Sequence, residues 1–135
     1  MTEQEKVSSV APAATRGKTI IEDIVVAKLA GLSTREVSGV ASVGAPNRMV
    51  DALRDTVQSS PSLTRGISVS VSEDEAQISI GIIATYGVRL QELAQLIREN
   101  VIGTVEKITG LGVKDVTITI HDIQIDTDED SSEES

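Results

Sequence analysis

Cysteine is absent from the 135 residues, so the chain has no disulfide framework, thiolate nucleophile or zinc–thiolate site. Phe and Trp are also absent, and Tyr86 is the single aromatic residue. Basic residues are scarce, 12 Lys and Arg against 21 Asp and Glu. Binding nucleic acid takes clustered cations to neutralise phosphate and, for single strands, aromatic platforms for the bases. This chain is poor in both, which argues against an RNA accessory role. No run approaches the roughly 18 apolar residues that cross a bilayer, and no charged-then-apolar leader opens the sequence. Direct membrane insertion is not expected, and a cytoplasmic globular domain is.

The acidity is uneven. Residues 126–135 carry six acids and no base, while 1–16 balance at zero. Neither end has an apolar period, so neither can bury enough surface to offset the entropy of ordering it. The expected division is a disordered tail over 1–16, one folding unit over 17–125 and an acidic disordered tail over 126–135.

Within the unit, Ile21, Ile24, Val25, Leu29 and Leu32 fall at helical spacing and predict a helical face. Thr19 is the expected N-cap, with Glu22 at capping-box distance. Ser38-Gly39 stops the helix, and Val40 to Val43 reads as a short strand. Gly44 and Pro46 predict a turn, and Met49, Val50, Leu53 and Val57 a short helix before the loop at 59–66. Ile67, Val69 and Val71 then alternate with Ser68, Ser70 and Ser72. After a turn at Glu73-Asp74-Glu75, Ile78, Ile80, Ile82 and Ala84 alternate with polar residues and glycine. That is a hairpin with one apolar and one polar face.

A long helix follows from about Val88, through Leu90, Ala94, Ile97, Val101, Val105 and Ile108, with Leu93 and Leu96 beside the stripe. Gly110 is its expected left-handed stop. The last strand sets Val116, Ile118 and Ile120 against Thr117, Thr119 and His121. Its apolar phase slips at Ile123 and Ile125, which predicts a bulge or an edge near Asp122.

The fold class is therefore α+β: two layers, with helices packed on one face of a small mixed sheet, in the order helix, short strand, hairpin, long helix, strand. The long connection returns the last strand parallel to the second hairpin strand. If the helices cover the Ile/Val side, the other side displays Ser68, Ser70, Ser72, Gln77, Ser79, Thr117 and Thr119. It is polar but almost uncharged, so contact with another protein there meets little desolvation cost or repulsion. Those Ser and Thr residues, with Tyr86 as an exposed anchor, form the candidate interaction surface.

No catalytic set emerges. His121 is the only histidine, and neighbours on a strand point to opposite faces, so Asp122 is badly placed to orient it. Arg16-Gly17-Lys18-Thr19 resembles the end of a phosphate-binding loop, but Pro12 stands where the pattern needs glycine, and no strand precedes it. A small-ligand or nucleotide-binding module using Gly17, Lys18 and Thr19 is the alternative reading. Asp126, Asp128 and Asp130 start like a calcium loop, yet Ser131 replaces the glycine and the chain ends before the last ligand. Gly110-Leu111-Gly112 follows a helix and is too short for a dinucleotide fingerprint. Neither a metal nor a cofactor is expected.

The order of Gly17-Lys18-Thr19-Ile20, Ser38-Gly39-Val40, the hairpin, Tyr86-Gly87, the long helix and Thr109-Gly110-Leu111 before Val116-Thr117-Ile118 resembles the alkaline shock protein 23 family. These are envelope stress response proteins of Gram-positive bacteria, and the likeness covers about 17–125. The resemblance implies a non-enzymatic cytoplasmic protein that self-associates and gathers at the membrane through a separate membrane-anchored partner. It transfers no catalytic residue, and Gly39, Tyr86, Gly87 and Gly110 carry over as structural punctuation. Residues 44–66 are longer and more polar than the short connection expected of that family.

Overall fold

A computed structural model describes residues 12–44 and 63–125. The helix expected from Met49, Val50, Leu53 and Val57 lies outside the described residues, as do 1–11 and the acidic run from Asp126. After a 3-10 turn at Ala13–Thr15, the elements are α1 (Asp23–Arg35), β1 (Val40–Val43), β2 (Ile67–Val71), β3 (Glu75–Thr85), α2 (Leu90–Thr109) and β4 (Gly112–Gln124).

The sheet is built around β3. Along one side it pairs in parallel with β4 from Glu75↔Gly112 to Thr85↔Gln124, as the long crossover through α2 requires. Its other side is shared by two antiparallel strands lying end to end. β2 pairs with Ala76 to Ile80 and β1 with Ile82 to Ala84. Gly81 sits at the junction, its N–H donating to the Gly66 carbonyl at 2.9 Å and its carbonyl accepting from the Gly44 N–H at 2.7 Å. Gly66 has φ +80°, and a Cβ there would overlap the Gly44 backbone. Two chain ends can meet this closely only because neither carries a side chain.

The expected slip in β4 is a bulge. Ile82 pairs with Ile120, but Ile83 pairs with Asp122, so His121 is an extra residue. The insertion brings Ile123 opposite Ala84, on the same side as the buried isoleucines. The apolar phase is thereby restored and not lost.

Both helices cover the Ile/Val side, where Ile78, Ile80, Ile82, Val26, Ile97, Val101 and Val105 are fully buried. On α2, Leu93 joins Ile97, Val101 and Val105 in one stripe at four-residue spacing. Leu96 and Ile108 are exposed instead. Gly110 closes the helix in the left-handed region (φ +79°), donating its N–H to the Glu106 carbonyl at 2.9 Å.

α1 departs from the expected pattern twice. It starts at Asp23 with Glu22 as N-cap residue, and the stretch holding Thr19 is not helical. Its buried residues are Val26, Ala27, Ala30, Gly31, Ser33 and Thr34, while Ile24 and Leu32 are 50% and 47% exposed. At about 100° per residue, the buried face lies roughly opposite the one that Ile24, Val25 and Leu32 define.

The reason is distance. α1 passes so close to the start of the 63–67 segment that a Cβ on Gly31 would strike the Leu63 carbonyl. Only small side chains fit such an approach. Thr34, fully buried, returns its hydroxyl to the Ala30 carbonyl at 2.7 Å. The Ser33 carbonyl accepts from Asn100 Nδ2 of α2 at 2.8 Å. Arg35 Nη1 donates to the Leu63 carbonyl at 3.4 Å. Burial first, and the neighbouring Arg65 charge second, lower the pKa of this guanidinium.

Candidate functional site

With both helices on one side, alternation sends every second residue of β2, β3 and β4 to the other. Register sorts these into rows. Ser70, Gln77 and Asp115 form one, Ser68, Ser79 and Thr117 the next, and Gly81 stands beside Thr119 in a third. Together they form a flat, open surface with a shallow depression of about 400 Å³ lined by Ser68, Ser70, Gln77, Ser79, Asp115 and Thr117.

Within those rows Asp115 is the one full charge, and it is engaged: Gln77 Nε2 donates to its Oδ2 at 3.1 Å, while Glu75 and Asp122, in the same phase, bring carboxylates to the two ends of the face. The hydroxyls of Ser68, Ser70, Ser79, Thr117 and Thr119 therefore sit on one surface with a single, partly satisfied carboxylate among them. Such a face gives up little hydration energy when another surface covers it. Asp115 was legible from its phase on the strand, but the bulge at Lys114 had to be known to place it.

Two predicted members stand apart. Ser72 lies in the hairpin turn, where its N–H donates to the Glu75 carbonyl at 2.8 Å and its Oγ approaches the same oxygen at 3.4 Å. Tyr86 follows the end of β3, 68% exposed, with its N–H on the Gln124 carbonyl at 3.0 Å. It lies beyond the last paired row, near the exposed Ile123 and Ile125.

His121, the only histidine, lies across Gly81, with its ring where a Cβ of that glycine would stand. Asp122 does not orient it, because Asp122 Oδ1 accepts the Ile123 N–H at 2.8 Å. Among the described residues no three of His, Cys, Asp and Glu gather as a metal site would need. Likewise, no described helix is long and apolar enough to cross a membrane.

Lys18 and Thr19 line a second hollow, a groove of about 860 Å³ between the start of α1 and the hairpin turn. Glu22, Asp23 and Glu73 line it as well. Three carboxylates beside one ammonium repel a polyphosphate, and Gly17 is preceded by a 3-10 turn where a phosphate loop needs a strand. The geometry gives the nucleotide reading no support.

A family model described as the Asp23 family, of cell envelope-related function, matches residues 11–125. The chain belongs to that family. The Asp23-family match spans the whole described fold and bears out the resemblance seen in the sequence. Among relatives, the chain is 26% identical over 109 residues to the uncharacterized protein YloU of Bacillus subtilis, covering 81% of this chain and 90% of that one. It is 27% identical over 113 residues to the uncharacterized protein YqhY of the same organism, covering 82% and 80%. A stress response regulator gls24 homolog of Streptococcus pyogenes is 26% identical over 111 residues, which is 82% of this chain and 61% of the relative. No solved structure matches.

Proposed function

We propose that this Asp23-family chain is a non-enzymatic envelope stress protein that works by self-association through the open face of its sheet. In this reading it is held at the cytoplasmic side of the membrane by a membrane-anchored protein partner. The observation that carries the reading is the composition of the face. Rows of Ser and Thr hydroxyls with one engaged carboxylate among them, and Glu75 and Asp122 only at the ends of the face, replace the Lys- and Glu-rich surface that keeps solvated sheets apart. The family's envelope-related function and the stress-regulator name of the streptococcal relative agree with it.

Size-exclusion chromatography with light scattering at high micromolar concentration tests the self-association. Ser70→Lys or Thr119→Lys brings an ammonium into the contact, and desolvating it should weaken association at least tenfold. A strict monomer, or oligomers indifferent to both changes, refutes the use of this face. Recruitment is tested separately by fractionating cells with membranes intact. A chain found only in the soluble fraction under envelope stress refutes that part.

A further inference from the structure

Among the described residues β4 has a strand neighbour on one side only, β3. On β4, α2 supplies side chains in place of a strand. Arg98 Nε donates to the Val116 carbonyl at 3.1 Å, and Glu106 Oε2 accepts the Val113 N–H at 3.0 Å. Beyond Val116, the next main-chain group of β4 taken by a side chain is the Ile123 N–H, on Asp122. The stretch left between them begins Thr117-Ile118-Thr119-Ile120, every residue β-branched and uncharged. An edge of this composition pairs readily with another strand unless something blocks it.

We propose that Arg98 is a latch on this edge, and that when it releases the Val116 carbonyl, β4 takes β4 of a second copy as an antiparallel neighbour centred on Ile118. Main-chain groups alternate sides along a strand. Gly81 turns its N–H and C=O to Gly66 and Gly44, so the even-numbered residues of β3 face β4. The register then turns Asp115, Thr117 and Thr119 toward β3, and Val116, Ile118 and Ile120 present their N–H and C=O groups outward. A two-fold axis at Ile118 then joins Val116 to the partner's Ile120 by paired hydrogen bonds and sets Thr117 against the partner's Thr119. Asp115 and His121 do not obstruct this pairing, since the carboxylate turns to Gln77 and the imidazole to Gly81, both on β3 and away from the edge. The uncharged stretch matches itself about this axis, Val opposite Ile and Thr opposite Thr, and this is why a second copy is the occupant. The contact is distinct from association through the open face, because Ser70 lies on β2, on the far side of β3.

The chain has no cysteine of its own, so disulfide trapping reads the contact directly. Directly opposed residues of a non-hydrogen-bonded antiparallel pair lie about 4.5 Å apart at Cα, within disulfide reach. Full-length T117C and T119C chains are mixed and oxidised. The heterodisulfide is expected to exceed the twofold excess over either homodisulfide that random pairing of an equal mixture gives, and to form about tenfold faster with Arg98→Ala, the factor for losing a hydrogen bond from a charged donor. Arg98→Lys, which keeps a donor, should stay near the unsubstituted rate. Should Arg98→Ala fail to fold, heterodisulfide excess in the chain with Arg98 intact still decides the pairing. A heterodisulfide at or below the twofold excess of random pairing, or rates indifferent to Arg98→Ala in a folded chain, overturn the proposal. Ser70→Lys separates the two surfaces: loss of the heterodisulfide assigns the contact to the open face and ends the latch, while its persistence supports the edge.

Discussion

Replacing Gly31 with alanine puts a methyl group onto the Leu63 carbonyl oxygen, 3.1 Å from Ile67 Cδ1 and 3.2 Å from Arg35 Nη1. In an unhindered helix the same change is worth about 1 kcal/mol of stability, because glycine pays more backbone entropy than alanine. Gly103 of α2 provides that reference, for a Cβ there meets nothing within 4 Å. At Gly31 the obstructing atom is backbone, so either α1 or the 63–67 segment must move. Retreat of α1 loosens Val26 and Ala30, both fully buried, and strains the Arg35 contact to Leu63. Overpacking of this kind costs about 1–3 kcal/mol, and the lost hydrogen bond about 1 kcal/mol more. After the propensity gain, Gly31→Ala should destabilise by about 2 kcal/mol. For a folding unit of this size the melting temperature should drop by roughly 10 °C. Gly103→Ala should instead gain up to about 1 kcal/mol. Urea unfolding at constant m-value measures both. If the two alanine variants are stabilised alike, α1 does not pack through its small residues, and the account of its buried face fails.

Gly66→Ala adds a Cβ at φ +80° against the Gly44 backbone. It should cost about 2 kcal/mol or more in urea unfolding, from left-handed strain together with the clash. Asn100→Ala removes the donor to the Ser33 carbonyl at 2.8 Å and to Glu36 Oε1 at 3.1 Å, which tie α2 to the end of α1. A loss of about 1–2 kcal/mol is expected, with the amide protons of 33–37 exchanging faster than those of β3.

How much of this was legible follows from the type of period. The hairpin, β1 and the parallel return of β4 could be placed because strand alternation has a period of two and admits one answer. In β2 and β3, Ile and Val can face only one way while Ser and Gln face the other, and the register bears that out. The bulge at His121 left a trace for the same reason, since a break in a period of two is visible. α1 is different. Ile21, Ile24, Val25, Leu29 and Leu32 trace one helical face, while Val26, Ala27, Ala30, Ser33 and Thr34 trace another. Hydrophobicity favours the first, of which only Ile21 and Leu29 pack partly against the core, and the structure buries the second. What decides is how near the helix must come to the sheet and to Leu63, a quantity set by residues far away in sequence.

The same distinction explains the candidate surface. Which side of each strand carries Ser68, Ser70, Ser79, Thr117 and Thr119 is local information, so these residues could be named from the sequence. The position of Asp115 among them, the ring of His121 over Gly81 and the reach of Arg98 to Val116 depend on bulges and on the lie of α2 against β4. In the two readings proposed above, those relations turn a polar stripe into a surface with two distinct contact modes. The face is unguarded because it carries almost no charge. The edge is guarded because Arg98 and Glu106 occupy main-chain groups that a strand would use. An open β4 edge would compete with the face for every encounter. In the proposed reading, blocking the edge lets the face act first, so charge added at Ser70 and charge removed at Arg98 should change assembly in opposite directions.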